Sequence, residues 1–179
     1  FNIDKNIGYG NGILLGLSKA KNEFLGWTHA DLQCDFKDCL KAFEILYRNT
    51  NESNLNFLIK GKRINRKFTD NLFTKLMSIF IKIFCRVHLE DINAQPKLFS
   101  RKFYSLFNNP PRDFLLDFYL LHLSSIHNYK ILDLDVDFSE RKYGKAKGGG
   151  SLLGKVILSI KTAYYVVKYH NGNNYSQNK

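Results

Sequence analysis

The sequence predicts an α/β domain, and three features of its apolar patterning lead to this fold class. A short apolar and aromatic run, 24–27, breaks off into polar and acidic residues and is followed directly by a helical pattern. Apolar and acidic residues alternate strictly over 130–138, which indicates a strand with one buried face. Several other stretches carry apolar stripes at helical spacing, so strands and helices share one chain.

Length and composition predict one domain, over residues 1–170, with a disordered tail at 171–179. The chain has 179 residues, and its hydrophobic fraction of 44% excludes a disordered protein by composition. Its formal net charge of +11 predicts a polyanionic partner, which is a nucleic acid, an anionic membrane surface or a phosphorylated substrate.

Cysteine use and the termini bear on the compartment of the protein. The three cysteines form no CxxC pair and no disulfide framework, which is typical of a reducing compartment, and the scattered histidines predict no zinc site. We find no signal peptide and no run of 18 apolar residues. The chain opens on Phe1 rather than Met, so we expect residues upstream of it.

The first half of the chain reads as helix, strand, helix, strand. We predict a helix over 8–20, where glycines favour a flexible helix start over a phosphate loop, and a strand over 24–27. Asp35 is expected to cap a second helix, which carries an apolar stripe from Phe36 to Tyr47. A polar loop over 49–54 and a strand over 56–64 follow, and the strand ends in a basic run.

The acidic turn after the first strand is the first candidate site. Asp31 and Gln33 are two residues apart, and their oxygens suit a hard cation such as Mg²⁺ or Mn²⁺. Ligands collect outside the carboxyl ends of strands in open α/β sheets, which is where this turn is expected to lie. An ordinary turn or helix cap is the competing interpretation, because Asp is common at both.

A third helix, predicted from Thr69 to Val87, has a wide apolar face bordered by Lys75, Lys82 and Arg86. This pattern is typical of a helix that lies in a membrane interface. It is equally typical of a core helix with a solvated cationic edge, and the pattern alone leaves both interpretations open.

The second half of the chain adds a fourth helix, a strand, a basic loop and a last helix. We expect Asp113 and Asp117 to share one face of a helix over 113–127, where like charges repel, so one carboxylate is a candidate functional residue. The aspartates of the strand 130–138 are interpreted as a solvated edge. The glycine-rich basic segment 140–150 suits either phosphate binding or a plain linker, and a helix is predicted over 151–169.

Four separated segments together resemble the family 2 glycosyltransferases of the GT-A fold, in the branch of dolichyl- and polyprenyl-phosphate sugar synthases. The resemblance covers residues 7 to about 165. Its segments are Gly8-Tyr9-Gly10-Asn11-Gly12, His29-Ala30-Asp31-Leu32-Gln33, the stretch 90–101 with 113–121, and Phe138 to Arg141 with Gly144 and Lys147.

The resemblance implies a partial GT-A, Rossmann-like mixed sheet flanked by helices, with an amphipathic interface helix at 69–87. It implies an enzyme that moves a hexose from a nucleotide sugar to a polyprenyl phosphate, with inversion, at the cytoplasmic surface of a membrane. By position it assigns Mg²⁺ or Mn²⁺ to Asp31 and Gln33, and it places Asp117 near the acceptor.

The resemblance also extends the site to cationic and neighbouring polar residues. The phosphate-binding candidates are Arg63, Arg66, Arg141 and Lys147. Further candidates are His29, which stands where the family often has its first Asp, and Asp91 and Gln95 in the third segment.

Two other departures limit what the resemblance implies. Lys145 and Ala146 replace an acidic residue and a Ser that are common in the family. The strands of the family that bind the nucleobase would lie upstream of Phe1, so activity of the chain without them is left open.

Two rival functions remain. A nucleic-acid-binding module would explain the charge but not the acidic turn, so no nucleic acid is expected, and the other rival is a non-catalytic fragment. The identities of the sugar, the nucleotide and the lipid, and the oligomeric state, are left undetermined.

Overall fold

Four strands form one mixed sheet with helices packed against it. The computed structural model describes residues 2–31, 34–52, 56–65, 68–137, 160–165 and 167. The strands are β1 (Phe24–Trp27), β2 (Phe57–Ile64), β3 (Lys97–Ser100) and β4 (Lys130–Asp137). The helices are α1 (Tyr9–Lys19), α2 (Lys37–Glu52), α3 (Phe68–Cys85), α4 (Arg101–Tyr104) and α5 (Leu116–Ile126), and residues 160–165 are also helical.

The strand order is β1-β3-β2-β4, which differs from the order along the chain. Strand β3 pairs antiparallel with both β1 and β2, whereas β2 and β4 are parallel. Trp27 and Lys60 both lie opposite Lys97 in this register. The carboxyl ends of β1 and β2 therefore lie beside the amino end of β3. This end of the strands is called the sheet edge below.

The two faces of the sheet carry separate apolar clusters, as period-2 strands buried on both sides require. On one face Leu58 and Phe99 pack with α5, whose residues 116–124 are all buried. On the other face Ile59 packs with Ala42 and Leu46 of α2. This mixed α/β architecture confirms the predicted fold class at that level.

The predicted polar loop at 49–54 was wrong over its first part, because α2 continues to Glu52. The amide of Asn49 donates a hydrogen bond of 2.8 Å to the carbonyl oxygen of Ile45, one turn earlier. The side chain of Asn49 thus bonds within the helix, and residues 49–52 form the last turn of α2 instead of a loop.

The predicted start of the fourth helix was also wrong. Helix α5 begins at Leu116, and Asp113 lies in the preceding turn, where its carboxylate accepts a hydrogen bond from the backbone N–H of Leu115. Asp113 is exposed and Asp117 is buried. The two carboxylates therefore do not share a helical face, and the expected repulsion between them does not arise.

Helix α3 has one buried and one exposed apolar side. Ile81 is fully buried, and the buried Ser78 hydroxyl donates to the carbonyl oxygen of Leu89 at 2.6 Å. The exposed aliphatic side chains recur at spacings of four, three and four residues: Leu72, Leu76, Ile79 and Ile83. Among the described residues, no helix combines the length and the apolar character needed to cross a bilayer.

Two glycines let the backbone around Lys97 approach its neighbouring strands. A Cβ added at Gly61 would lie 2.2 Å from the carbonyl oxygen of Gln95, and one at Gly26 would lie 2.2 Å from that of Lys97. Side chains at these positions would push β3 and the turn before it away from β1 and β2.

Replacing Gly61 with alanine is expected to lower the free energy of unfolding by about 1–3 kcal/mol, because backbone atoms must shift to admit the methyl group. Urea denaturation would measure the change. The control is Gly16→Ala, where a Cβ meets nothing within 4 Å and helix propensity favours alanine by about 0.5–1 kcal/mol. Equal stability of the Gly61→Ala variant and the parent would contradict the close approach.

Candidate functional site at the β1–β3–β2 edge

A buried ion pair lies at this edge of the sheet. The Lys97 ammonium nitrogen is 2.9 Å from Asp117 Oδ1 and donates to the carbonyl oxygens of Ile92 and Ala94 at 2.5 and 2.8 Å. Lys97 is 0% and Asp117 1% exposed. Burial lowers the pKa of Lys97, and the neighbouring Asp117 charge opposes that shift. Because a buried charge needs a partner and hydrogen bonds, the three acceptors explain how this lysine is tolerated.

Tyr9 extends this pair to helix α1. Its hydroxyl donates to Asp117 Oδ2 at 2.8 Å and accepts a hydrogen bond of 2.5 Å from Gln95 Nε2. The ring stacks on Phe114 with 4.6 Å between the centroids. Burial, followed by the Asp117 charge, raises the pKa of Tyr9 strongly. The hydroxyl therefore stays protonated and acts as a donor to Asp117.

The four side chains Lys97, Asp117, Tyr9 and Gln95 are called the buried network below. They come from α1, from α5, from the amino end of β3 and from the turn before β3. Because Gln95 and Lys97 are close together in the chain, the network joins three separate parts of the sequence at the sheet edge.

A second ion pair lies beside the buried network at the end of β2. The Arg63 side chain contacts the Asp91 carboxylate through Nε, at 2.9 Å from Oδ1, and also through Nη2. The backbone N–H of Arg63 donates to Asp91 Oδ2 at 2.7 Å. Asp91 has a positive φ of 43°, a conformation that Asp adopts more readily than most residues. The carboxylate therefore holds both the backbone and the side chain of Arg63.

The residues after β1 complete the site. His29 is half-buried, and burial lowers its pKa. The charges of Asp31 and Asp117 act to raise that pKa, while Arg63 and Lys97 act to lower it. The imidazole therefore lies within electrostatic range of all four charges, which belong to the turn after β1 and to both ion pairs.

The lowered pKa of His29 predicts a loss of stability in acid. Below the ordinary pKa of 6.5 the unfolded chain binds a proton that folded His29 binds less readily, so stability falls as the pH drops through 6.5 toward the folded pKa. We expect His29→Gln to lose less stability than the parent between pH 7.5 and pH 5, measured by urea denaturation. His88→Gln, at an exposed histidine, is the control. An unchanged pH dependence in His29→Gln would contradict the assignment.

The structure brings together six of the residues proposed from sequence: His29, Asp31, Arg63, Asp91, Gln95 and Asp117. The other four, Gln33, Arg66, Arg141 and Lys147, lie outside the described residues. The roles assigned to Gln33 at the metal ion and to Arg66, Arg141 and Lys147 at phosphate therefore remain predictions.

Sequence reasoning missed Tyr9 and Lys97 as members of the site. Lys97 had only a weak signal: it is two residues from the apolar Phe99 in a short strand, so the two side chains lie on the same face of that strand. An inward lysine requires a buried acid. Tyr9 had no comparable signal, since the hydroxyl meets Asp117 across 108 positions of sequence.

Metal binding would require His, Cys, Asp or Glu side chains that are grouped around one point. Within the part of the chain that the structure describes, no three such side chains are grouped to hold a metal ion. Asp91 and Asp117 are already engaged by Arg63, Lys97 and Tyr9. Asp31 has the oxygen chemistry that Mg²⁺ or Mn²⁺ requires, so a site here would use Asp31 with Gln33.

Comparison with models of known protein families gives no match to this chain. Comparison with curated proteins also gives no significant match.

Proposed function

We propose that the chain is part of a GT-A-type glycosyltransferase that moves a hexose from a nucleotide sugar to a polyprenyl phosphate, with inversion. The observation that carries this proposal is the grouping of Asp31 and His29 with the Arg63–Asp91 pair and the buried network at one sheet edge. Carboxylates and cations at the carboxyl ends of strands are the groups that phosphorylated ligands and their metal ions require.

In this proposal Asp31 and Gln33 hold Mg²⁺ or Mn²⁺. The ion would supply positive charge to the leaving diphosphate. The oxygen donors of Asp31 and Gln33 fit such an ion, whereas an imidazole such as that of His29 suits zinc, copper, iron or nickel better. His29 is therefore placed beside this ion rather than among its ligands.

The acceptor phosphate is assigned to Arg63, with Arg66, Arg141 and Lys147 as further phosphate contacts. A lipid phosphate is an anion at neutral pH, so it needs cationic guidance more than a general base. Arg63 is held by Asp91 through its Nε and Nη2. A guanidinium that is already held in place loses little further conformational freedom when it binds a phosphate.

Asp117 and Asp31 have different roles in the proposed reaction. It is 1% exposed, and its two oxygens contact Lys97 and Tyr9. The contacts of Asp117 with Lys97 and Tyr9 can both persist if Asp117 positions these neighbours and does not itself bind substrate. We therefore assign Asp31 as the residue at the reacting groups and Asp117 as a residue that positions its surroundings.

The test of this function is a transfer assay on the full-length gene product. The assay supplies labelled UDP- and GDP-hexoses, Mn²⁺ or Mg²⁺, and undecaprenyl or dolichyl phosphate. Formation of a labelled lipid that depends on the divalent ion would support the proposal. Absence of transfer across this panel, with correctly folded protein, would reject it.

We further propose that α3 rests on an anionic membrane surface at the cytoplasmic side. Four exposed aliphatic residues on α3 lie beside the exposed Lys75 and Lys82. Juxtamembrane cations contribute about 1 kcal/mol each at anionic lipid, so both charge and apolar contact favour binding.

Replacing Leu76 and Ile83 together with serine is expected to weaken binding to vesicles of phosphatidylcholine and phosphatidylserine by about 10- to 100-fold, because apolar burial in the interface is lost. Cosedimentation would measure it. The control is Phe36→Ser with Leu40→Ser, which removes two exposed apolar side chains, one just before α2 and one in its first turn. Equal loss in both variants would contradict a specific role for α3.

A nucleic-acid-binding module is the second candidate, favoured by the net charge of +11. Salt-sensitive binding of the protein to RNA or DNA, together with no binding to anionic vesicles, would favour this alternative. A non-catalytic fragment is a further alternative, and failure of the full-length protein to bind Mn²⁺ would point to it.

A further inference from the structure

Lys97 is a fully buried cation to which the proposed function assigns no role. The Lys97 ammonium donates hydrogen bonds to the carbonyl oxygens of Ile92 and Ala94, and it forms an ion pair with Asp117 Oδ1 at 2.9 Å. With 0% exposure, it has no surface on which to contact a substrate. Any effect of Lys97 on chemistry must therefore pass through the groups that it holds.

Those groups belong to the turn 91–95, which carries two residues of the site. Asp91 opens the turn and holds Arg63, and the N–H of Ala94 donates to the carbonyl oxygen of Asp91 at 2.9 Å. Gln95 closes the turn and donates to Tyr9. Lys97 binds the turn between these two residues and ties it to Asp117 on α5.

The position of the Arg63 guanidinium is consequently set by a chain of contacts. Asp117 fixes the Lys97 ammonium, the ammonium fixes two carbonyls of the turn, and the turn presents the Asp91 carboxylate to Arg63. The first link is a buried ion pair at 2.9 Å, and the others are charge-assisted hydrogen bonds or direct backbone connections.

We propose that Lys97 is a positioning residue that sets the geometry of Arg63 through the turn 91–95. The functional part of this inference rests on the proposed function, in which Arg63 contacts the acceptor phosphate. The geometric part stands without it.

The experiment replaces the whole buried pair, so that no charge is left uncompensated. The variant Lys97→Met with Asp117→Leu removes both charges, and Lys97→Gln with Asp117→Asn is a polar second variant in case the first fails to fold. The matched control is Lys60→Met with Asp133→Leu. That pair also joins a buried lysine to an aspartate, at 2.7 Å, and it links β2 to β4. Lys60 lies opposite Lys97 in the sheet and its ammonium donates to the carbonyl oxygen of Gly61, so this control also reports the effect of losing a neighbouring buried charge.

The first readout is the Arg63 Nε–H signal in proton–nitrogen NMR spectra, identified by its loss in Arg63→Lys. We expect this signal to exchange slowly with water in the parent and in the control. In the Lys97/Asp117 variants that keep a cooperative thermal transition, we expect exchange at least about tenfold faster, because the Asp91 partner is no longer held. Unchanged exchange in a folded Lys97/Asp117 variant would overturn the proposal.

The second readout separates this proposal from the proposed function. In the transfer assay, KM for the lipid phosphate is expected to rise about tenfold in the Lys97/Asp117 variants and to stay unchanged in the control. If the parent shows no transfer while the NMR signal responds as expected, the proposed function fails and the positioning role of Lys97 stands. If transfer occurs and KM is unchanged in the variants, the functional part of this inference is wrong.

Discussion

Replacing Asp31 with asparagine is expected to reduce the rate of hexose transfer by about 100- to 1,000-fold, the scale observed when one charge-stabilising group is removed from an active site. The amide keeps the size of the carboxylate but removes the negative charge that a divalent ion needs. The initial rate of labelled lipid formation, measured over a range of Mn²⁺ concentrations, would report both the loss and any weaker metal dependence.

The matched control for this prediction is Asp35→Asn, four residues further along the same acidic stretch. Asp35 is exposed, and its carboxylate accepts a hydrogen bond of 2.9 Å from the backbone N–H of Lys37 at the start of α2. Because asparagine caps a helix about as well as aspartate, Asp35→Asn should leave both the stability and the site nearly unchanged. Full metal-dependent transfer by Asp31→Asn would reject the role assigned to Asp31.

Lys97→Met is expected to have the largest effect on stability, a loss of about 3–5 kcal/mol in the free energy of unfolding. The substitution leaves the Asp117 carboxylate buried at 1% exposure without its ionic partner. It also leaves the carbonyls of Ile92 and Ala94 without the ammonium donor. Urea denaturation would measure the loss, and for a chain of this size the thermal midpoint should fall by about 6–20 °C.

Two comparisons make this stability prediction specific. Lys102→Met removes an exposed lysine from the neighbouring α4 and should change stability by no more than about 0.5 kcal/mol. Adding Asp117→Leu to Lys97→Met should recover most of the lost stability, because the isolated buried charge is then removed. A single variant as stable as the parent would show that the ion pair is not buried as described.

The strands and helices could be predicted from sequence where a periodic pattern met a clear boundary. The run 24–27 is followed by polar residues and forms β1 over the predicted residues. The alternation of leucine and aspartate forms β4, with Asp135 and Asp137 exposed. The end of α2 was predicted too early, because the polar residues from Asn49 onward look like a loop although the helix continues to Glu52.

The candidate site was only partly readable from sequence. His29, Asp31, Asp117 and Arg63 were named because their residue types suit phosphate and metal chemistry, but their proximity depends on which strands pair. Lys97 was overlooked because a lysine beside a proline in a polar turn looks solvent-exposed until its strand is known to lie between β1 and β2.

By itself the sequence determined the α/β class, most of the helices and strands, the positive charge and the acidic turn after the first strand, because each is set by local periodicity or by composition. Only the tertiary structure decided that β3 lies between β1 and β2, and that Tyr9, Gln95, Lys97 and Asp117 share one buried network. The physical reason is that these contacts join distant segments. Such contacts are selected by strand pairing and by the cost of burying a charge without a partner, and neither leaves a periodic trace in the sequence.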